Sequence, residues 1–195
     1  MKPINNCDTF YSARKFFGVP DGAYLFSEKK LHAELEYDYS NIRMEHLLGR
    51  IEEGAEKYYP KFKENDDSLI GQLIKKMSKL TQSLMKNIDY DKVTEIRFNN
   101  FNYLHSKLKD ANEIIIDTVS ITVPMVYPYL VKNGSEIKKK LISNKIFVAT
   151  YWPNVREWDN DKGSYENYLA ANLLAIPIDQ RYCLDEMEKI LELIC

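Results

Sequence analysis

The sequence predicts a mixed fold, between the α/β and α+β classes, built from helices and a few short strands. Long polar segments carry apolar residues at spacings of three and four, which is typical of amphipathic helices. Short runs rich in β-branched and aromatic residues lie between them and indicate strands. Turn signals, of which Pro20-Asp21-Gly22 is the clearest, separate the two kinds of segment.

The composition bounds the size and the class of the protein. A chain of 195 residues suits one compact domain or two small ones, and a hydrophobic fraction of 45% allows a core. The net charge of −2 favours neither a nucleic-acid partner nor a membrane surface. No apolar run approaches the roughly 20 residues of a membrane span, and residues 1–9 lack a signal-peptide pattern. We therefore expect a cytoplasmic protein.

The cysteines and histidines are too scattered for a disulfide framework or a zinc site. No CxxC pair occurs, and the residues lie far apart along the chain. They are Cys7, Cys183 and Cys195, and His32, His46 and His105. We expect no bound metal.

The first half of the chain is predicted to be mostly helical. A short buried strand over residues 23–26 follows the turn. Two helices are expected over residues 28–58, with a break near residues 38–41, and residues 63–68 are expected to form a polar loop. Apolar residues at helical spacing predict a third helix over residues 74–84.

The second half begins with a long helix after Asp89 and then alternates between strands and helices. Strand patterns occupy residues 114–116, 119–123, 125–131, 146–149 and 173–178. Helical patterns occupy residues 135–143, 165–172 and 185–194. This order predicts one sheet covered by helices.

Lys15 is the main candidate for chemistry. It follows Arg14 and stands beside Phe16 and Phe17, just before the tight turn. A lysine amine that is partly desolvated, or close to a positive charge, becomes a nucleophile able to form a Schiff base with an aldehyde cofactor. The spacing alone favours a surface lysine whose stem packs beside the aromatic rings.

Residues 11–25 resemble the cofactor-lysine segment of the DegT/DnrJ/StrS-type sugar aminotransferases, which are fold-type I enzymes that use pyridoxal phosphate (PLP). In that segment a serine-containing approach precedes the lysine, and an acidic residue and a glycine open a strand. The resemblance places Lys15 on the Schiff-base lysine and Ser12 near the serine that helps to hold the cofactor phosphate. Two features depart from the usual pattern: the spacing of Ser12 to the lysine, and Asp21-Gly22-Ala23 in place of acidic-Gly-Gly.

The resemblance continues through most of the chain. Matching segments are residues 88–90, 97–104, 123–128, 146–148, 151–153 and 176–182. It implies that the chain is the C-terminal part of a fold-type I PLP-dependent transferase. Residues 1–87 would be a remnant of the large PLP-binding domain, and residues 88–195 the small C-terminal α+β domain.

Trp152, Asn154 and Arg181 are candidates for lining a substrate entrance, although surface or packing roles remain open. The forked guanidinium of an arginine suits a carboxylate. The family resemblance implies a nucleotide-sugar or another keto compound as the acceptor substrate.

A complete PLP site also needs an acid facing the pyridine nitrogen, an apolar face against the ring, and a helix N-terminus for the phosphate. In the family these lie before the lysine, where this sequence has fourteen residues. We therefore expect an incomplete enzyme that is inactive alone and forms a homodimer or receives its missing half from a partner chain. The alternatives are a non-catalytic interaction or dimerisation module descended from such an enzyme, and an unrelated α+β domain.

Overall fold

The computed structural model describes residues 5–30, 32–159 and 161–194, so Cys195 lies outside the described residues. The chain divides into two compact units, Met1–Ile88 and Asp89–Cys195. In its described part, each unit combines helices with a small antiparallel sheet, and the fold is therefore of the α+β class. The origin of the first unit as a remnant of a PLP-binding domain stays a prediction.

The first unit begins with a two-stranded antiparallel hairpin. Strand β1 (Thr9–Ser12) pairs with β2 (Ala23–Phe26), and Phe10 lies opposite Leu25. The position of β2 is as predicted, but its predicted burial is wrong, because three of its four residues are exposed. Each strand has one partner among the described residues, so its side chains lack the cover that a larger sheet provides.

Three helices follow in the first unit: α1 (Glu45–Glu53), α2 (Ala55–Ser68) and α3 (Lys79–Lys86). The prediction of a first helix before a break near residues 38–41 is wrong, because the described part of residues 28–40 forms no helix. The break between α1 and α2 lies instead at Gly54, whose φ of 93° suits glycine. Helix α2 continues through Pro60 and through the polar residues 63–68, so the predicted loop there is wrong. The ion pair of Lys61 with Glu64, one turn apart, shows how charged residues support a solvated helix.

The second unit is built on the long helix α4 (Tyr90–Leu108). Its start is as predicted, because the Asp89 carboxylate accepts a hydrogen bond of 3.0 Å from the Lys92 amide. Strand β3 (Val126–Leu130) pairs antiparallel with β4 (Leu173–Pro177). The remaining helices are α5 (Gly134–Ser143), α6 (Val155–Trp158), α7 (Tyr165–Asn172) and α8 (Leu184–Ile194).

The hydrophobic core of the second unit lies between its sheet and the inner faces of α4, α5 and α8. Its side chains recur at helical spacing on the helices and alternate on β3, as expected for faces that meet a common core. Among those that are at most 1% exposed are Phe101, Leu104, Tyr127, Leu174, Ile176 and Met187.

The strands predicted over residues 114–116 and 119–123 do not form. The Asn112 side chain takes the place of a pairing strand beside β3, because its Nδ2 donates to the Pro128 carbonyl at 2.8 Å and its Oδ1 accepts from the Leu130 amide at 3.0 Å. The predicted strand at residues 146–149 is reduced to one bridge, between Ala149 and Ala175. None of the helices within the described ranges is both long and apolar enough to cross a bilayer.

Candidate functional site

Lys15 lies in the loop of residues 13–22 that joins β1 to β2. It is the last residue of a 3-10 turn, Ala13–Lys15, and its side chain is exposed. The Ala13 amide donates to the Gly22 carbonyl at 2.9 Å and closes the loop, while the Phe17 amide donates to the Ala13 carbonyl at 3.0 Å. The lysine therefore projects from a loop with a defined backbone.

Side chains of helix α2 hold this loop from one side. The Asn65 Nδ2 donates to the Pro20 carbonyl at 2.9 Å, and Arg14 forms an ion pair with Asp66. Asn65 is buried, so its hydrogen bond is protected from competition with water. Arg14, next to Lys15, and Pro20, the first residue of the Pro20-Asp21-Gly22 turn, are therefore both held by helix α2.

Asp21 holds the loop from a second side. This residue is 5% exposed, and both of its carboxylate oxygens accept hydrogen bonds. Its Oδ2 accepts from Ser40 Oγ at 2.5 Å and from Arg43 Nη2 at 2.6 Å, and its Oδ1 accepts from Thr81 Oγ1 at 2.7 Å. Charge-assisted hydrogen bonds of this kind are stronger than neutral ones, and here they join three separate parts of the unit.

Two further side chains extend these contacts. The Ser40 Oγ lies 2.5 Å from Ser78 Oγ, and Ser78 also caps helix α3 by accepting from the Thr81 amide. The Arg43 Nη2 donates to Asp38 Oδ2 at 2.5 Å. We call this group of side chains the Asp21 network. Its members are Asp21, Asp38, Ser40, Arg43, Ser78 and Thr81.

The Asp21 network favours the charged forms of its carboxylate and guanidinium. Burial alone would raise the pKa of Asp21, but hydrogen bonds from Ser40, Arg43 and Thr81 lower it below its ordinary value. Burial alone would lower the pKa of Arg43, but the hydrogen bond and the charge of Asp21 raise it. The network is thus a buried ion pair supported by hydroxyl groups.

Gly22 completes the predicted Pro20-Asp21-Gly22 turn. Its φ is 97°, a conformation that other residues rarely adopt, and a Cβ there would lie 3.0 Å from Met77 Cε. The turn therefore favours glycine chiefly because of its backbone conformation.

The described residues offer some of the groups that a PLP site would need, and not the full set. Lys15 offers an accessible amine on an anchored loop, and Ser12, half-buried at the end of β1, offers a hydroxyl that does not cap the 3-10 turn. The expected desolvation of the lysine amine is not provided by these residues, because Lys15 is exposed. The residues fit covalent attachment of an aldehyde cofactor, but the surroundings that activate the amine must come from elsewhere.

The three predicted substrate residues lie in the second unit. Trp152 is 71% exposed and has a φ of 48°, and Asn154 precedes the short helix α6. Arg181 pairs with Asp179 through two hydrogen bonds, from Nε to Oδ1 at 2.7 Å and from its second terminal nitrogen to Oδ2 at 2.8 Å. The guanidinium of Arg181 is therefore already paired with a carboxylate of the same chain.

Arg181 also lines a cleft of about 830 Å³ between α4 and the start of α8. The other residues around the cleft include Asn99, Tyr103 and Cys183. Trp152 and Asn154 are not among its lining residues, so the structure does not bring the three candidates to one cleft.

Arg97 is a buried charge that the sequence analysis did not single out. It is 2% exposed, and its guanidinium donates to Gln180 Oε1 at 2.9 Å and to the carbonyls of Pro124 and Met125 at 3.2 and 3.1 Å. A sequence signal did exist, because Arg97 falls at helical spacing on the stripe that continues to Phe101. These contacts indicate that Arg97 ties α4 to the segments before β3 and after β4.

The described ranges contain no group of three or more His, Cys, Asp or Glu side chains that could hold a metal ion. Cys7 and Cys183 are exposed free thiols. His46 is buried on α1 with its ring 5.7 Å from that of Phe62, which indicates a packing role.

Comparisons with known proteins identify no relative of this chain. No protein-family model, curated protein or solved structure matches the chain.

Proposed function

We propose that this chain is part of a PLP-dependent aminotransferase of fold-type I, in which Lys15 holds the cofactor covalently. One observation carries the proposal: the lysine lies in a closed loop between two antiparallel strands, followed by a buried acid and a glycine with a positive φ. A serine-containing approach, the lysine, a loop, and then an acid and a glycine that open a strand is also the order of the family segment that residues 11–25 resemble.

PLP, when bound, supplies an aldehyde carbon and an electron-accepting ring. Once the amino donor has displaced it from the cofactor, the Nζ of Lys15 would carry a proton between the amino-donor carbon and the cofactor, as general base and then general acid. The Ser12 hydroxyl would donate a hydrogen bond to the cofactor phosphate. The acceptor substrate in this proposal is a nucleotide-sugar or another keto compound.

The remaining parts of the site would come from a partner chain, and the chain itself would form a homodimer or pair with that partner. They are the acid for the pyridine nitrogen, the apolar face for the ring, and the helix N-terminus for the phosphate. Because these parts are required, the chain alone would be inactive. We also propose that the protein is located in the cytoplasm.

The proposal is tested by adding PLP to the purified protein and recording its absorption spectrum for the wild type and for Lys15→Ala. Lys29→Ala is the matched control, because Lys29 is also exposed and follows the same hairpin. Borohydride treatment and peptide mapping then locate the attached group. We expect a wild-type band that persists in Lys29→Ala and disappears in Lys15→Ala.

An equal band in Lys15→Ala would contradict the assignment of the lysine. Absence of any band in the wild type would contradict the proposed cofactor role of the chain.

A second candidate function is a non-catalytic interaction module, and the exposure of apolar side chains in the first unit favours it. Those between 74% and 85% exposed are Phe10, Tyr39, Ile42, Ile51, Ile70, Leu73 and Ile74. Large exposed apolar patches often mark interaction sites, and in this candidate function a partner would cover these side chains. A dimer seen by light scattering, together with no Lys15-dependent band, would favour this function, whereas a monomer would contradict it.

A further inference from the structure

We infer that Asp21 is a positioning residue for Lys15: its buried carboxylate anchors the loop of residues 13–22 and thereby fixes the backbone from which the lysine side chain projects. This inference rests on the proposed function for its chemical meaning and deepens it. Asp21 itself would touch neither cofactor nor substrate.

The contacts of Asp21 reach residues that are distant in the sequence. Asp21 is the residue through which the loop meets Ser40, Arg43 and Thr81, which lie 19 to 60 residues further along the chain. A loop of ten residues that is joined only at its ends keeps much of its conformational freedom. Helix α2 restricts the loop at Arg14 and Pro20, and the contacts of Asp21 with two further segments restrict it again.

The negative charge of Asp21 is needed by Arg43. A Pro-X-Gly turn accepts Asn as readily as Asp, so the turn itself does not demand a carboxylate. Arg43 does, because its side chain is only 16% exposed and its terminal nitrogen is shared between Asp21 and Asp38. Removing one partner of a buried ion pair leaves the other charge poorly compensated. The ion pair with Arg43, and not the turn, therefore explains why residue 21 is an aspartate.

The part of the loop that carries Lys15 is also packed and hydrogen-bonded. Phe17 and Val19 are 9% and 3% exposed, so their side chains pack inward while Lys15 stays in solvent. The closing hydrogen bond between Ala13 and Gly22 transmits the position of the Asp21 turn to the start of the 3-10 turn. A fixed backbone at Lys15 limits the positions that its amine can take, and this lowers the entropy lost when the amine forms a covalent bond in a defined geometry.

The test compares Asp21→Asn with the matched control Asp38→Asn. Each variant removes one carboxylate from Arg43, but Asp38 makes no contact with the loop among the described residues. Two quantities are measured: hydrogen exchange of the amides of residues 13–22, and the rate at which PLP alone produces the Lys15-dependent band.

We expect Asp21→Asn to speed the exchange of these amides by at least about tenfold. A hydrogen bond to a charged group is worth more than the ~1.4 kcal/mol that corresponds to one factor of ten. The band should form several-fold more slowly in this variant, and Asp38→Asn should change neither quantity appreciably. If Asp21→Asn does not fold, Thr81→Val removes one hydrogen bond to Asp21 and should give a smaller change in the same direction.

Unchanged exchange in folded Asp21→Asn, or equal changes in the two variants, would overturn the anchor. Faster exchange with an unchanged rate of band formation would overturn the positioning of Lys15. If the wild type forms no band, the proposed function fails, while the exchange measurement still decides whether Asp21 anchors the loop.

Discussion

At the scale of single residues, His46 is a buried titratable group whose charge state matters for the first unit. Burial lowers its pKa most, a hydrogen bond with the backbone of Arg43 opposes this in part, and the charges of Arg50 and Arg14 lower it further. The folded state therefore favours the neutral imidazole. Its position on α1, against Phe62 of α2, connects that preference to the packing of two helices.

We predict that the first unit loses stability as the pH falls from 8 to 5. Because the pKa of His46 is lower in the folded state than its unfolded value of about 6.5, its stabilising contribution is complete above that value. This contribution is lost as the pH falls towards the folded pKa. Urea unfolding followed by circular dichroism measures the loss, and tryptophan fluorescence reports the second unit separately, since both tryptophans, Trp152 and Trp158, lie there.

His46→Gln should remove part of this pH dependence, whereas His32→Gln, at an exposed position, should leave it unchanged. An identical pH dependence in the wild type and His46→Gln would show that the histidine does not titrate as expected.

At the scale of elements, the second unit contains one very close contact between helices. Gly134 opens α5, and a Cβ at this position would lie 1.9 Å from the backbone oxygen of Asn172, at the end of α7. A backbone oxygen cannot rotate away as a side chain can. The approach of α5 to α7 therefore depends on the missing methyl group.

We predict that Gly134→Ala lowers the free energy of unfolding of the second unit by about 1–3 kcal/mol, the usual cost of overpacking. Urea unfolding followed by tryptophan fluorescence measures the change. Gly163→Ala is the control, because its new Cβ would meet only the flexible carboxylate of Asp161, at 3.3 Å. Equal stability of Gly134→Ala and the wild type would show that α5 and α7 can separate without cost.

At the scale of the whole molecule, the two units differ in how much apolar surface they bury. The continuous hydrophobic core lies in the second unit, where helices and both strands contribute fully buried side chains. In the described part of the first unit, the buried apolar residues are Ala13, Phe17, Val19 and Met85. Since burial of apolar surface is the main stabilising term, the second unit should be much the more stable one.

We predict that residues 89–195 fold when expressed alone and unfold cooperatively in urea. Residues 1–88 alone should show low stability and should gain stability from whatever covers their exposed apolar side chains. Circular dichroism and the concentration dependence of the melting temperature test both statements. A cooperative, concentration-independent transition of residues 1–88 would contradict the proposed need for a partner.

Several elements could be predicted from the chain itself because their signals are local. The cap at Asp89, the periodic stripes of α4 and α8, the limits of α7 and the turn ending at Gly22 each depend on residues within a few positions. Lys15 was likewise singled out by its neighbours, and its role as a cofactor lysine stays a prediction.

Other features depended on partners that are distant in the sequence. Residues 114–123 have strand composition, but the edge they would use is occupied by Asn112, which is recognisable only once β3 is in place. Asp21 looks like an ordinary turn residue until Ser40, Arg43 and Thr81 surround it. Local propensity selects helices and turns, whereas hydrogen-bond partners and burial are set by the three-dimensional approach of segments, so the anchor of the lysine loop emerged only from the tertiary structure.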